Sequence, residues 1–280
     1  MPGCGRRTGC PGASSAYSWR WRRCARSIST GSTWTISDDR RVGGVGVPVE
    51  NQFQPLSAPH IAVLCLVVIV PVVLSIAARR GGERTTTIIC VSFAAVMFVN
   101  VAVHWVYRLA EVGIEEFVQR HLPLHICGIA ALALVVTLLF RNRHTFEIVY
   151  FWGLAGTLNA LATPQLEVVF PHYRFFQFFI AHGGIVAGAL FAVWGLGMRP
   201  TFASLGRAFG WLFLLTCVLL VVNPILDSNY MFLQEPPDSA SPFFFAPWPY
   251  YIPILAGVGL VFFLLLLAPF EIAKRWPRRP

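Results

Sequence analysis

The chain has 280 residues, 56% of them hydrophobic and only 12% charged, with a net charge of +9. Soluble domains carry about 25% charged residues, so a water-exposed globule is excluded: its surface would be largely apolar. The positive charge does not point to nucleic acid either, because eight arginines fall in the first 41 residues and most others flank hydrophobic blocks, with no basic stripe interleaved with aromatics.

Residues 1–50 are rich in Arg, Gly, Ser and Trp, and lack both an apolar period and the hydrophobic core of a signal peptide. They read as a disordered tail or as an untranslated upstream stretch, with the start near Val45 or Val47; the composition favours the second. From 58 to 272 the apolar residues run in long unbroken blocks, which lipid solvates when helices satisfy the backbone. The expected architecture is therefore all-α, a polytopic membrane helical bundle of about seven transmembrane helices. The expected segments are 60–78, 86–109, 121–140, 146–162, 175–197, 205–226 and 250–270, followed by a basic cytoplasmic tail over 273–280. Pro71 should kink the first, and Gly184 and Gly188 form a small-xxx-small pair on the fifth that permits close helix approach.

Arginines follow the first and third segments (Arg79, Arg80, Arg84, Arg141, Arg143), join the fifth and sixth (Arg199, Arg207), and follow the seventh with Lys274. The alternate connections carry Glu111, Glu115, Glu116, Glu167, Asp227, Glu235 and Asp238. The positive-inside rule then sets the C-terminus in the cytoplasm and residues 110–120, 163–174 and 227–249 outside.

Polar side chains within apolar segments are costly and mark function more often than elsewhere. Here they are His104, His125, Cys127, Asn159, Gln177, His182 and Asn223, and in this orientation all fall in the outer half of the bundle, which suggests one polar cavity. Histidines near helix ends also reach headgroups, and asparagines also link helices; His182, mid-segment between apolar turns, is the hardest to explain that way. Cys127 would sit about 9 Å into its segment and His182 about 12 Å. A thiol beside an imidazole from another helix is an activated nucleophile. His125 cannot serve, because residues two apart do not share a helix face. The seven cysteines show no zinc or disulfide spacing, and no metal or other cofactor is expected.

The stretches His121-Leu-Pro-Leu-His-Ile-Cys127, Phe151-Trp-Gly-Leu-Ala-Gly-Thr157, His182-Gly-Gly184, Asn229-Tyr230 and Pro247-Trp-Pro-Tyr250 resemble the YwaF-type bacterial integral membrane proteins, relatives of the eukaryotic transmembrane protein 164 family. The resemblance spans roughly 58–272 and departs from the pattern at Gly128 and Glu235. It implies a lipid acyltransferase in which Cys127 is the nucleophile and His182 its partner, with membrane lipid as the molecular partner. His104, His125, Asn159, Asn223 and Trp248 are the supporting candidates, the asparagines as carbonyl polarisers. Phe243, Phe244, Phe245 and Trp248 would form an aromatic interfacial lid. The competing classes are a transporter or solute-binding protein using the same cavity, haem ligation by a pair such as His104 and His182, and a non-catalytic membrane protein.

Overall fold

The computed structural model describes residues 53–164, 166, 168–236 and 246–275. The elements are α1 (Ala58–Arg120), α2 (Ile126–Phe140), α3 (Arg143–Ile148), a π turn (Val149–Gly153), α4 (Leu154–Ala162), α5 (Tyr173–Trp194), α6 (Phe202–Leu226), a 3-10 turn (Tyr230–Phe232) and α7 (Tyr251–Arg275). Among the described residues there is no strand. Helices α1, α5, α6 and α7 are long and apolar enough to cross a membrane. Their outer faces carry large apolar side chains, with Val68, Ile69, Val99, Phe213, Val221 and Leu265 all more than half exposed. The fold is an all-α membrane helical bundle.

Helix α1 is folded back on itself. Its backbone leaves helical dihedrals at Gly82 (φ 72°, ψ −166°) and Gly113 (φ 78°, ψ 175°), and not at Pro71. The Thr86 hydroxyl donates to the Ala78 carbonyl across 3.3 Å, although eight residues of straight helix span about 12 Å. The chain therefore reverses at Gly82, and the first two expected segments are the limbs 58–81 and 83–112. The His104 and His121 rings lie 6.4 Å apart, where 17 residues of straight helix would separate them by about 25 Å. Residues 114–120 accordingly fold back over the end of the second limb.

Helix α5 is the hub. Side chains added at Gly183, Gly184 and Gly188 would collide with Val67, Met97 and Leu134 respectively. Three rods (both limbs of α1, and α2) thus approach its backbone directly. The Gly184/Gly188 pair serves two neighbours rather than one. Helix α3, the π turn and α4 run without interruption from Arg143 to Ala162. Within the π turn Trp152 donates its indole N–H to the Ala208 carbonyl (2.9 Å) and Tyr150 its hydroxyl to Leu266 (2.8 Å), which ties this rod to α6 and α7.

The two ends of the bundle differ. At one, Arg79 Nε donates to the Trp194 carbonyl (2.9 Å) and Arg141 pairs with Glu83 (2.5 Å). There Arg207 also grips both oxygens of Glu147 (2.9 and 2.5 Å), a carboxylate only 2% exposed. This bidentate pair joins α3 to α6. At the opposite end the His60 ring accepts from the Leu56 amide (3.0 Å) and donates through Nε2 to the Leu161 carbonyl (2.9 Å), holding the start of α1 against α4.

Two expectations are corrected. The third segment does not begin at 121: His121 caps the end of α1 and α2 starts at Ile126. Pro123 keeps its predecessor out of helical dihedrals, so 121–125 form a turn. The fourth segment is not a plain α-helix, because the π turn interrupts it. The expected tail (residues 1–50), the lid residues Phe243 to Phe245 and most of the basic tail lie outside the described residues.

Gly188→Val should destabilise the protein by about 1–3 kcal/mol through overpacking against Leu134. Gly210→Ala, with open space around it, should be neutral or stabilise by up to about 1 kcal/mol. Thermal unfolding in detergent compares the two.

Candidate functional site

A three-way contact fixes the register of the helices around Cys127. A Cβ added at Gly153 would meet Ile185 Cγ2 at 2.6 Å and Ala130 Cβ at 3.7 Å. Cys127, Gly156 and His182 each lie three residues from one member of that contact, all in the direction of the histidine end. Three residues along a helix is about 4.5 Å and returns to nearly the same face. These three residues therefore form the next layer outward on α2, α4 and α5. A Cβ added at Gly156 would touch Cys127 Sγ at 3.6 Å, so the glycine leaves room beside the thiol. Both Cys127 and His182 are half-buried. Among the described residues no hydrogen bond joins them.

The His182 ring is oriented by its own helix. Nδ1 lies 2.9 Å from the Phe178 carbonyl, and the ring rests on the Phe178 ring with centroids 4.2 Å apart. A carbonyl only accepts, so Nδ1 carries the proton, and the neutral imidazole keeps its lone pair on Nε2.

Because α2 starts at Ile126, Cys127 lies in its first turn, not about 9 Å inside it. The first amides of a helix have no intrahelical acceptor, and the N-cap residue His125 makes no side-chain cap. Ile126, Cys127 and Gly128 thus present backbone N–H groups beside the thiol. A reading of polar side chains alone does not register these amides; the only sequence signal was Pro123, which bars a helix through 122 and so sets its start.

Residues 55–267, about three quarters of the chain, match the TMEM164 family model. The chain belongs to the TMEM164 family. Comparison with curated proteins and with solved structures finds no match. Family membership together with the long apolar helices makes this an integral membrane protein.

In this TMEM164 family member the remaining candidates divide by their contacts, rather than facing one cavity together. Asn223 is fully buried and committed: its amide donates to the Tyr230 carbonyl (3.0 Å), and its Oδ1 accepts from the Tyr230 amide and the Ser228 hydroxyl (both 3.0 Å). Fully enclosed by its own loop, it is not accessible to a substrate carbonyl. His125 accepts from the Met231 amide (3.4 Å) and packs against the rings of Tyr230 and Phe232. Trp248 is exposed, with its indole N–H donating to the Leu233 carbonyl (3.0 Å). These three residues hold the segment after α6. Tyr230 completes it, donating to the Val118 carbonyl (2.6 Å) and accepting from the Leu122 amide (3.1 Å). Burial pushes the Tyr230 phenol up, which keeps it a donor. The described part of the expected lid is therefore anchored. Asn159 is exposed, one turn outward from Gly156 on the same face, and its backbone carbonyl accepts from Thr163. His104 pairs with His121 near the end of the second limb of α1. Among the described residues no group of three or more His, Cys, Asp or Glu side chains could hold a metal ion.

Asn223→Ala should cost about 1–3 kcal/mol, because it strands buried partners. Limited proteolysis should then cut within 227–236 at protease levels that spare the parent protein, while thiol labelling of Cys127 persists.

Proposed function

We propose that the protein transfers acyl chains between membrane lipids through a thioester on Cys127, with His182 as general base and then general acid. What supports this reading is the packing of α2 and α5 around Gly153: three residues from Ala130 and from Ile185 bring Cys127 and His182 to a similar level, Gly156 leaves room beside the thiol, and the bond of Nδ1 to Phe178 leaves the lone pair of the neutral ring on Nε2. Cys127 Sγ attacks the carbonyl carbon of a lipid ester while His182 takes the thiol proton. The S–C bond forms, the ester C–O bond breaks, and the proton passes to the leaving lysolipid oxygen. An acceptor hydroxyl then attacks the thioester, gives its proton to His182, and expels the Cys127 sulfur, which is reprotonated.

The negative charge on the acyl oxygen needs donors fixed in advance. The amides of Ile126, Cys127 and Gly128 are the best suited, since helix N-termini favour anions. Asn159 remains the side-chain candidate, and Asn223 is withdrawn because it is fully buried and tied to its own loop. With the arginine end facing the cytoplasm by the positive-inside rule, this layer would open toward the outer leaflet. The acyl chains then need not leave the bilayer.

An alkyne-tagged acyl-thioester probe tests the mechanism. The purified protein should acquire a hydroxylamine-sensitive label on Cys127 and none on Cys65, Cys90 or Cys217. Cys127→Ser should abolish that label, and His182→Ala should slow it by about 10²- to 10⁴-fold, the usual contribution of a general base. Labelling that persists unchanged in either variant would end the proposal.

A further inference from the structure

On the second limb of α1, Arg108 Nε and His104 Nδ1 are both buried, and neither has a hydrogen-bond partner among the described residues. The two residues are four apart, so they share a helix face. Arg108 is not simply an unpaired surface charge. Its side chain is 16% exposed, and its Nη1 is already engaged with Glu111 at 2.7 Å. The Nε–H can only donate, and burying it without an acceptor is costly. His104 Nδ1 sits one turn deeper, with the His121 ring standing edge-on 6.4 Å away. An acceptor with two or more oxygens, lodged between Nε and Nδ1, would satisfy both atoms together.

Depth indicates which oxyanion. The limb ends at Val112, so Arg108 lies about 6 Å and His104 about 12 Å from its end, at 1.5 Å per residue. That is the zone where headgroups meet acyl chains. Tyr107 and Tyr173 flank it with ring centroids 5.2 Å apart, as aromatic residues do at this level. The oxyanion that phospholipids carry there is their phosphate, and guanidinium groups suit its geometry.

We infer that Arg108 and His104 form a phosphate-binding site, filled by a phospholipid headgroup or by free phosphate. The inference takes from the acyl-transfer reading only the lipid-embedded setting. It adds to that reading a contact that would hold a phospholipid by its headgroup.

The test uses the full chain carrying Cys127→Ala, so that no chemistry at the thiol intervenes. Native mass spectrometry from detergent compares added dioleoylphosphatidylglycerol with a phosphate-free diglucosyl dioleoylglycerol. The phospholipid should bind about tenfold or more tighter, the scale of one charge-assisted hydrogen bond. Arg108→Gln and His104→Gln should each remove most of that preference. Arg120→Gln, on a side chain 71% exposed, should keep it. Millimolar inorganic phosphate that displaces the phospholipid would assign the site to free phosphate as well as lipid; failure to displace it would assign the site to lipid alone. Equal binding of the two lipids would overturn the inference, as would an unchanged preference in Arg108→Gln or His104→Gln protein that unfolds at the parent temperature. Loss of probe labelling at Cys127 with intact phospholipid preference would defeat the acyl-transfer reading and leave this one standing.

Discussion

Close approach of helix backbones to α5 is the constraint on which the rest of the structure depends. In lipid there is no hydrophobic drive to press one apolar helix against another, so association rests on van der Waals contact and a few interhelical hydrogen bonds. Gly183, Gly184 and Gly188 remove the side chains that would keep Val67, Met97 and Leu134 at a distance. The contact of Gly153 with Ile185 and Ala130 adds the π turn to the same cluster. Once these contacts are made, the vertical register of five rods is set, and with it the depth at which each polar side chain on them sits.

Polarity is then sorted by end. Arginines close one end through carbonyl contacts and ion pairs, among them the buried Glu147 with Arg207. The other end is built from histidines, asparagines and tyrosines that bond largely to backbone. His60 ties α1 to α4, and Asn223, His125 and Tyr230 tie the segment after α6 to the turn before α2. This is the economy required where backbone cannot be left unpaired in hydrocarbon. Among the described residues, the groups outside that structural network include Cys127, His182 Nε2, the first amides of α2, the exposed Asn159, and the pair His104 Nδ1 and Arg108 Nε. The two functional inferences rest on the members of this set.

Much of the fold was legible in composition and block length. The long apolar runs required helices in lipid, and Gly184 and Gly188 signalled close packing. The reversal at Gly82 matched the arginine-rich gap between the first two blocks. The start of α2 was misread because its preceding turn, His121 to His125, is itself apolar enough to extend a hydropathy block; Pro123 held the correct boundary. The π turn was not legible, since Val149 to Gly153 has the same composition as an ordinary apolar helix.

The sequence by itself determined the medium, the helical class and the short inventory of polar side chains, because hydropathy and backbone satisfaction act on local stretches of chain. Only the tertiary structure decided which polar groups are occupied and which are free. Asn223 and Asn159 look alike in sequence, yet one is locked to Ser228 and Tyr230 while the other is exposed. Hydrogen-bond partners come from other elements, and their positions follow from packing rather than from any local pattern.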